Sequence, residues 1–191
     1  MKIAVILGSV REQRQGIKAA RFMVNVLKER KHDVQLIDPM EYELPLLNKR
    51  YSDYEEGKAP ESMKKLLEHL READAFVIVS AEYNHSIPPA LTNLLDHFYR
   101  GEYGFKPVGI VTYSGGPFGG VRAGSHLRSL LGELGMVSIP TMFPISAVQD
   151  SFDDEGKAID KNYNRRVEKF LVELEWYANA LKEARDKGIP N

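Results

Sequence analysis

The stretch Ile3-Ala4-Val5-Ile6-Leu7-Gly8-Ser9-Val10-Arg11-Glu12-Gln13-Arg14-Gln15-Gly16-Ile17 reads as a strand, a polar loop and the start of a helix. Ile3 to Leu7 is apolar without alternation, so both faces of this strand must be covered, as in a parallel sheet between layers of helices. Beyond the loop, Ile17, Ala20, Val24 and Leu27 recur at helical spacing. The same unit repeats along the chain. Apolar runs at Val34 to Ile37, Ala75 to Ser80, Val108 to Tyr113 and Val137 to Phe143 read as four more strands. Met63/Leu66/Leu67/Leu70, Leu91/Leu94/Leu95/Phe98, Ala123/Leu127/Leu130/Leu131/Leu134 and Val167/Phe170/Leu171/Leu174/Leu181 line one face each of four more helices. Five strands alternating with five helices predict an α/β, doubly wound, five-stranded parallel sheet with helices on both faces. The order 2-1-3-4-5 suits this length and directs a ligand to the carboxyl ends of strands one, three and four.

Composition narrows the function. A chain of 191 residues, 43% of them hydrophobic, is long enough for one substantial core and short for two, so residues 1–191 read as one domain. Twenty-six Lys and Arg against 27 Asp and Glu offer no field for nucleic acid or an anionic membrane, which leaves a small molecule as the expected partner. Without cysteine, thiol redox chemistry and iron–sulfur clusters are excluded, and electrons would need a bound cofactor. MKIAVILGSV is too short an apolar stretch for a signal sequence, and no run reaches the length of a membrane span, so a cytoplasmic protein is expected.

The three ligand-facing loops carry the chemistry. In the first, free amides at a helix N-terminus, the Ser9 hydroxyl and the Arg11 and Arg14 guanidinium groups suit a phosphate. Neither GxxxxGK[ST] nor GxGxxG is present, which favours a monophosphate over a nucleoside triphosphate or a pyrophosphate. Alone, this loop is equally a strand-to-helix turn with surface arginines. In the second, Glu82-Tyr83-Asn84-His85-Ser86 precedes Pro88-Pro89, so its backbone is expected to be extended, with amides open to a flat heterocycle. Tyr83 reads as a packing residue before a stacking one, and His85 as a rim residue before a catalytic one. In the third, Tyr113-Ser114-Gly115-Gly116-Pro117-Phe118-Gly119-Gly120 has four glycines in eight residues, which suits close approach of a ring system to main chain.

Together these loops resemble the NAD(P)H-dependent FMN reductase family, with its quinone, azo-dye and chromate reductases. The resemblance rests on Gly8-Ser9-Val10-Arg11, on Glu82-Tyr83-Asn84 with Pro88 and Leu91-Thr92-Asn93-Leu94-Leu95-Asp96, and on Ser114-Gly115-Gly116 through Gly119-Gly120-Val121-Arg122. It covers about the first 145 residues in order and spacing. It implies a flavodoxin-like fold, noncovalent FMN, NADPH or NADH as co-substrate, a small-molecule acceptor and a homodimer or homotetramer. By the same resemblance Ser9, Arg11, Arg14, Gln15 and Gly16 hold the phosphate, while Glu82, Tyr83, Asn84, His85, Tyr113, Ser114, Gly115 and Gly116 hold the isoalloxazine. No catalytic side chain and no metal site are expected. The chain departs from the family at Ala81, where proline is common, and at Arg14, where a small hydroxyl residue is common.

A receiver domain needs acidic residues where Gly8-Ser9 and Ser80-Ala81 stand. An electron carrier is usually acidic, against a net charge of −1 here, and a flavin-binding redox sensor would use the same loops. Asp153-Asp154-Glu155-Gly156 lacks EF-hand spacing and reads as a turn. The connection from Pro39 to Pro60 reads as a solvated loop with lid or subunit contact as alternatives. Pro88 to Tyr99 and the surroundings of Arg122 are the expected subunit contact.

Overall fold

In the computed structural model, which describes residues 1–190, five parallel strands form one sheet in the order β2-β1-β3-β4-β5. They are β1 (Lys2–Leu7), β2 (Asp33–Ile37), β3 (Ala75–Ala81), β4 (Pro107–Tyr113) and β5 (Val137–Ile145). The helices are α1 (Gly16–Glu29), α2 (Glu61–Glu72), α3 (Pro89–Asp96), α4 (Arg100–Tyr103), α5 (Val121–Glu133), α6 (Val148–Ser151) and α7 (Asn162–Asp186). The expected order is therefore observed, with the single-turn helices α4 and α6 added.

Alternation along each strand sorts the core into two layers. Ile3, Val5, Leu7, Val77, Val79 and Val111 face α1 and α7, while Ala4, Ile6, Phe76, Ile78, Val108 and Ile110 face α2, α3 and α5. Both faces of β3 and β4 are buried along their whole length, as their unbroken apolar runs require. β5 runs two residues further than expected. It is an edge strand, where Pro140 and Pro144 remove no needed donor, and Tyr113 still pairs with Ile145.

The buried face of α1 differs from the expected stripe. Gly16, Ala19, Ala20, Phe22, Met23 and Leu27 are buried, and Ile17 and Val24 are only half-buried at the margin of the core. In α7, Ala178 is buried where Leu181 was expected. Large and small side chains share the buried face in both helices: Phe22, Met23 and Leu27 beside Ala19 and Ala20 in α1, and Phe170, Leu171 and Leu174 beside Ala178 in α7.

The 39–60 connection is largely exposed, as expected of a solvated loop, and is also tied to the body of the protein. It carries 3-10 turns at Pro39–Glu41 and Tyr51–Asp53. Asn93 of α3 accepts from the Leu47 amide (2.8 Å) and donates to Pro45 O (2.9 Å), and the buried His97 meets the same carbonyl at 3.1 Å. Among the described residues no helix is long and apolar enough to cross a membrane.

Candidate functional site

Strand register brings three loops to one edge. Leu7 is level with Val79, Ala81 with Tyr113, and Tyr113 with Ile145. The chain leaving β1 stays in the sheet for one more residue, the Gly8 amide donating to Val79 O at 2.9 Å. Ser9 then turns inward. It is 2% exposed, and its Oγ lies 2.7 Å from the Tyr83 hydroxyl. The Arg11 guanidinium stands over the Tyr83 ring, 5.6 Å from its centroid, and among the described residues it has no carboxylate partner.

α1 begins at Gly16 with no side chain capping its first turn, so the positive end of the helix is open towards the loop. The Tyr113 side chain enters this corner from β4, filling the space a Cβ on Gly16 would take. Its hydroxyl is buried and, among the described residues, has no hydrogen-bond partner. Burial pushes its pKa up, with the nearby Ser9 hydroxyl acting in the opposite direction, so it remains a protonated donor. Arg14, expected to add charge for a phosphate, is already engaged. It donates to Ser9 O at 2.7 Å and pairs through both terminal nitrogens with Asp38, the residue after β2.

The second loop is a tight turn, not the extended segment expected. Tyr83 and Ser86 exchange backbone hydrogen bonds of 3.0 and 2.9 Å, and Asn84 (φ 50°) and His85 (φ 64°) are both left-handed. This is the backbone pattern of a two-residue hairpin turn, which Asn favours at its first position. The half-buried Glu82 carboxylate accepts from the Arg122 amide (3.0 Å) and guanidinium (3.1 Å), fastening the turn to the start of α5.

The glycine-rich loop is anchored at both ends and, through the Ala147 amide donating to Gly116 O (3.2 Å), in its middle. Ser114 N donates to Ile145 O (3.1 Å), and Thr112 Oγ1 donates to Gly119 O (2.8 Å). Gly119 (φ 60°) and Gly120 (φ 74°) turn the chain into α5. Among the described residues no neighbouring atom lies within 4 Å of where a Cβ on Gly116 would be, so that side of the loop faces open space.

These loops enclose a cleft of about 370 Å³, within the range of small-molecule sites. Of the residues expected at the site, Ser9, Arg11, Arg14, Gln15, Glu82, Tyr83, Tyr113, Ser114 and Gly115 line it. Gly16 lies beneath Tyr113, while Asn84, His85 and Gly116 stand outside the lining. Val148 and Gln149 of α6 form a wall that the sequence reading missed. Among the described residues no cluster of His, Asp and Glu has the geometry to hold a metal.

Residues 1–150 match the family described as NADPH-dependent FMN reductase. The chain is 31% identical to a probable NADPH:quinone oxidoreductase 1 of Oryza sativa subsp. japonica, over 96% of this chain and 94% of that one. It is 32% identical to a quinone reductase of Pseudomonas putida, over 83% and 85% of the two chains. Among solved structures it is similar to FerB, a flavoenzyme NAD(P)H:(acceptor) oxidoreductase of Paracoccus denitrificans, with a TM-score of 0.71 at 21% identity, covering 95% of this chain and 97% of that one. At that identity the last likeness establishes the fold.

Proposed function

This chain belongs to the NADPH-dependent FMN reductase family, and from that premise we propose that its cleft holds FMN and passes two electrons from NADPH or NADH to a small acceptor. A quinone, an azo compound, free flavin or a metal oxyanion fits that description. The observation that carries the reading is the open first turn of α1, beside a cleft lined by Ser9, Arg11 and Tyr113, whose buried hydroxyl has no hydrogen-bond partner among the described residues. A phosphate monoester supplies what this corner lacks: acceptor oxygens for the donors and negative charge for the helix end and the guanidinium.

Ser9, Arg11, Gln15 and Gly16 form the phosphate end of the site in this reading. The backbone of Glu82 to His85 and of Tyr113 to Gly116 forms the end for the ring. When bound, FMN supplies the redox chemistry, taking two electrons from a reduced nicotinamide and giving them to the acceptor that replaces it. The protein orients the partners and excludes water, and no side chain is assigned a proton-transfer role. Glu82 contributes through its main chain, because its carboxylate is held by Arg122.

Residues 1–191 act as one cytoplasmic FMN-binding domain in this reading, and copies associate through the α3 region and the surroundings of Arg122. Light scattering of the flavin-loaded protein then gives a mass of two or four times 21.6 kDa, and a monomer contradicts the association. The activity is tested by following oxidation of NADPH and NADH with a soluble quinone under anaerobic conditions. Sustained turnover is expected. Reduction of the bound flavin without turnover leaves an electron carrier and overturns the enzyme reading.

A further inference from the structure

We propose that Arg14 and Asp38 form a positioning pair for the flavin phosphate: the ion pair fixes the backbone of the phosphate loop, and Arg14 does not itself bind the phosphate. The inference rests on the FMN reading above and deepens it. Asp38 lies 24 residues from Arg14 in sequence and enters the corner only because β2 runs beside β1, with Ile6 level with Ile37.

The pair is built to stay closed. The Arg14 and Asp38 side chains are 13% and 8% exposed. Asp38 Oδ1 accepts from Arg14 (2.8 Å) and from the Met40 amide (3.0 Å), while Oδ2 accepts from the second terminal nitrogen of Arg14. The Arg14 nitrogen that meets Oδ1 also donates to Ser9 O at 2.7 Å. Swinging Arg14 towards a phosphate would leave a buried carboxylate without its cation, which is strongly unfavourable. Arg14 therefore joins the ends of β1 and β2, and through Met40 it joins the start of the 39–60 connection.

The loop depends on this tie. Among the described residues, the hydrogen bonds that link residues 9–15 to elements beyond the loop and α1 are Ser9 to Tyr83 and Arg14 to Asp38. Gln13 is left-handed (φ 52°), a conformation the loop must be held in. Orientation of the Ser9 and α1 donors thus follows from the pair, while Arg11 is left as the loop guanidinium available to the phosphate.

Charge gives the test its sign. Asp38 is an anion beside an anion site. If its charge were what mattered, Asp38→Asn would tighten phosphate binding, both by removing repulsion and by freeing Arg14. If positioning matters, the same substitution weakens it. The apo-protein and its Asp38→Asn, Arg14→Lys and Arg14→Lys/Asp38→Asn variants are titrated with FMN and with riboflavin, which lacks the phosphate, by flavin fluorescence. The pair predicts about tenfold weaker FMN binding in each single variant, the weight of one misaligned charge-assisted contact, with riboflavin changed about twofold or less. The double variant is expected to lose no more than either single one, because the two residues act as a unit.

Unchanged or tighter FMN binding by Asp38→Asn overturns the proposal. So does equal weakening of FMN and riboflavin, the mark of general loosening. Arg14→Lys keeps both charges without the two-pronged geometry and decides the matter should Asp38→Asn not fold: full retention of FMN affinity overturns the pair. An unaltered protein that binds no FMN instead overturns the reading on which the pair rests.

Discussion

The phenol of Tyr113 occupies the space into which a Cβ on Gly16 would project. Gly16 is thus required for room rather than for backbone freedom, and its smallness lets a β4 side chain reach the first turn of α1. Gly16→Ala overfills this corner. It is expected to destabilise the protein by about 1–3 kcal/mol and to weaken FMN binding, as read by urea unfolding and flavin fluorescence. Unchanged stability would show that Tyr113 can move aside freely.

Tyr113→Phe has effects of opposite sign on stability and binding. The hydroxyl is buried and unpartnered, and such a group costs about 1–3 kcal/mol. Its removal is expected to stabilise the apo-protein by about 1 kcal/mol while weakening FMN binding. Urea unfolding of the flavin-free variant checks the first effect and fluorescence titration the second. A less stable apo-variant would mean that the hydroxyl already has a partner.

Asn84 and His85 hold adjacent left-handed conformations at the cleft rim. A β-branched side chain is poorly accommodated there, so His85→Val is expected to cost about 1–2 kcal/mol, while His85→Gly is expected to cost nothing beyond the chain entropy of glycine. Thermal melts of both variants check this. Equal losses would indicate that the imidazole, not the backbone, is what the turn requires.

These residues show what was legible in the sequence. The unbroken apolar runs of β1, β3 and β4 announced a sheet covered on both faces, and the strand order with its three ligand-facing loops followed. The Arg14 partner was not legible, because the pairing with Asp38 arises from β1–β2 register rather than from spacing. α6 was missed because four residues carry no helical periodicity, and with it went Val148 and Gln149. The 83–86 turn was misread as extended because the two following prolines outweighed the signal of Asn84, a residue tolerant of left-handed backbone.

Lys106 lies at the sheet edge away from the cleft, 9% exposed, its ammonium donating to Leu70 O (2.8 Å) and Arg71 O (2.9 Å) at the end of α2. Burial lowers its pKa from 10.5 to about 8, with Arg185 adding to the effect. A folded-state pKa below the unfolded one means that the unfolded chain binds the proton more tightly between these values. Stability from this group therefore rises as pH climbs from about 8 to 10.5, by an amount on the order of 3 kcal/mol. Urea unfolding at pH 7.5 and pH 10 is expected to show unaltered protein gaining on Lys106→Met over that interval. A constant difference between the two would contradict the shift.

In the proposed function the open corner at α1 receives the phosphate of FMN. This is tested most directly by denaturing the purified, flavin-loaded protein and identifying the released cofactor by absorption and mass. Flavin absorption bands are expected before denaturation, and release of FMN, one per chain, after it. A colourless protein that cannot be loaded with FMN, or one that releases FAD or riboflavin, would contradict this reading.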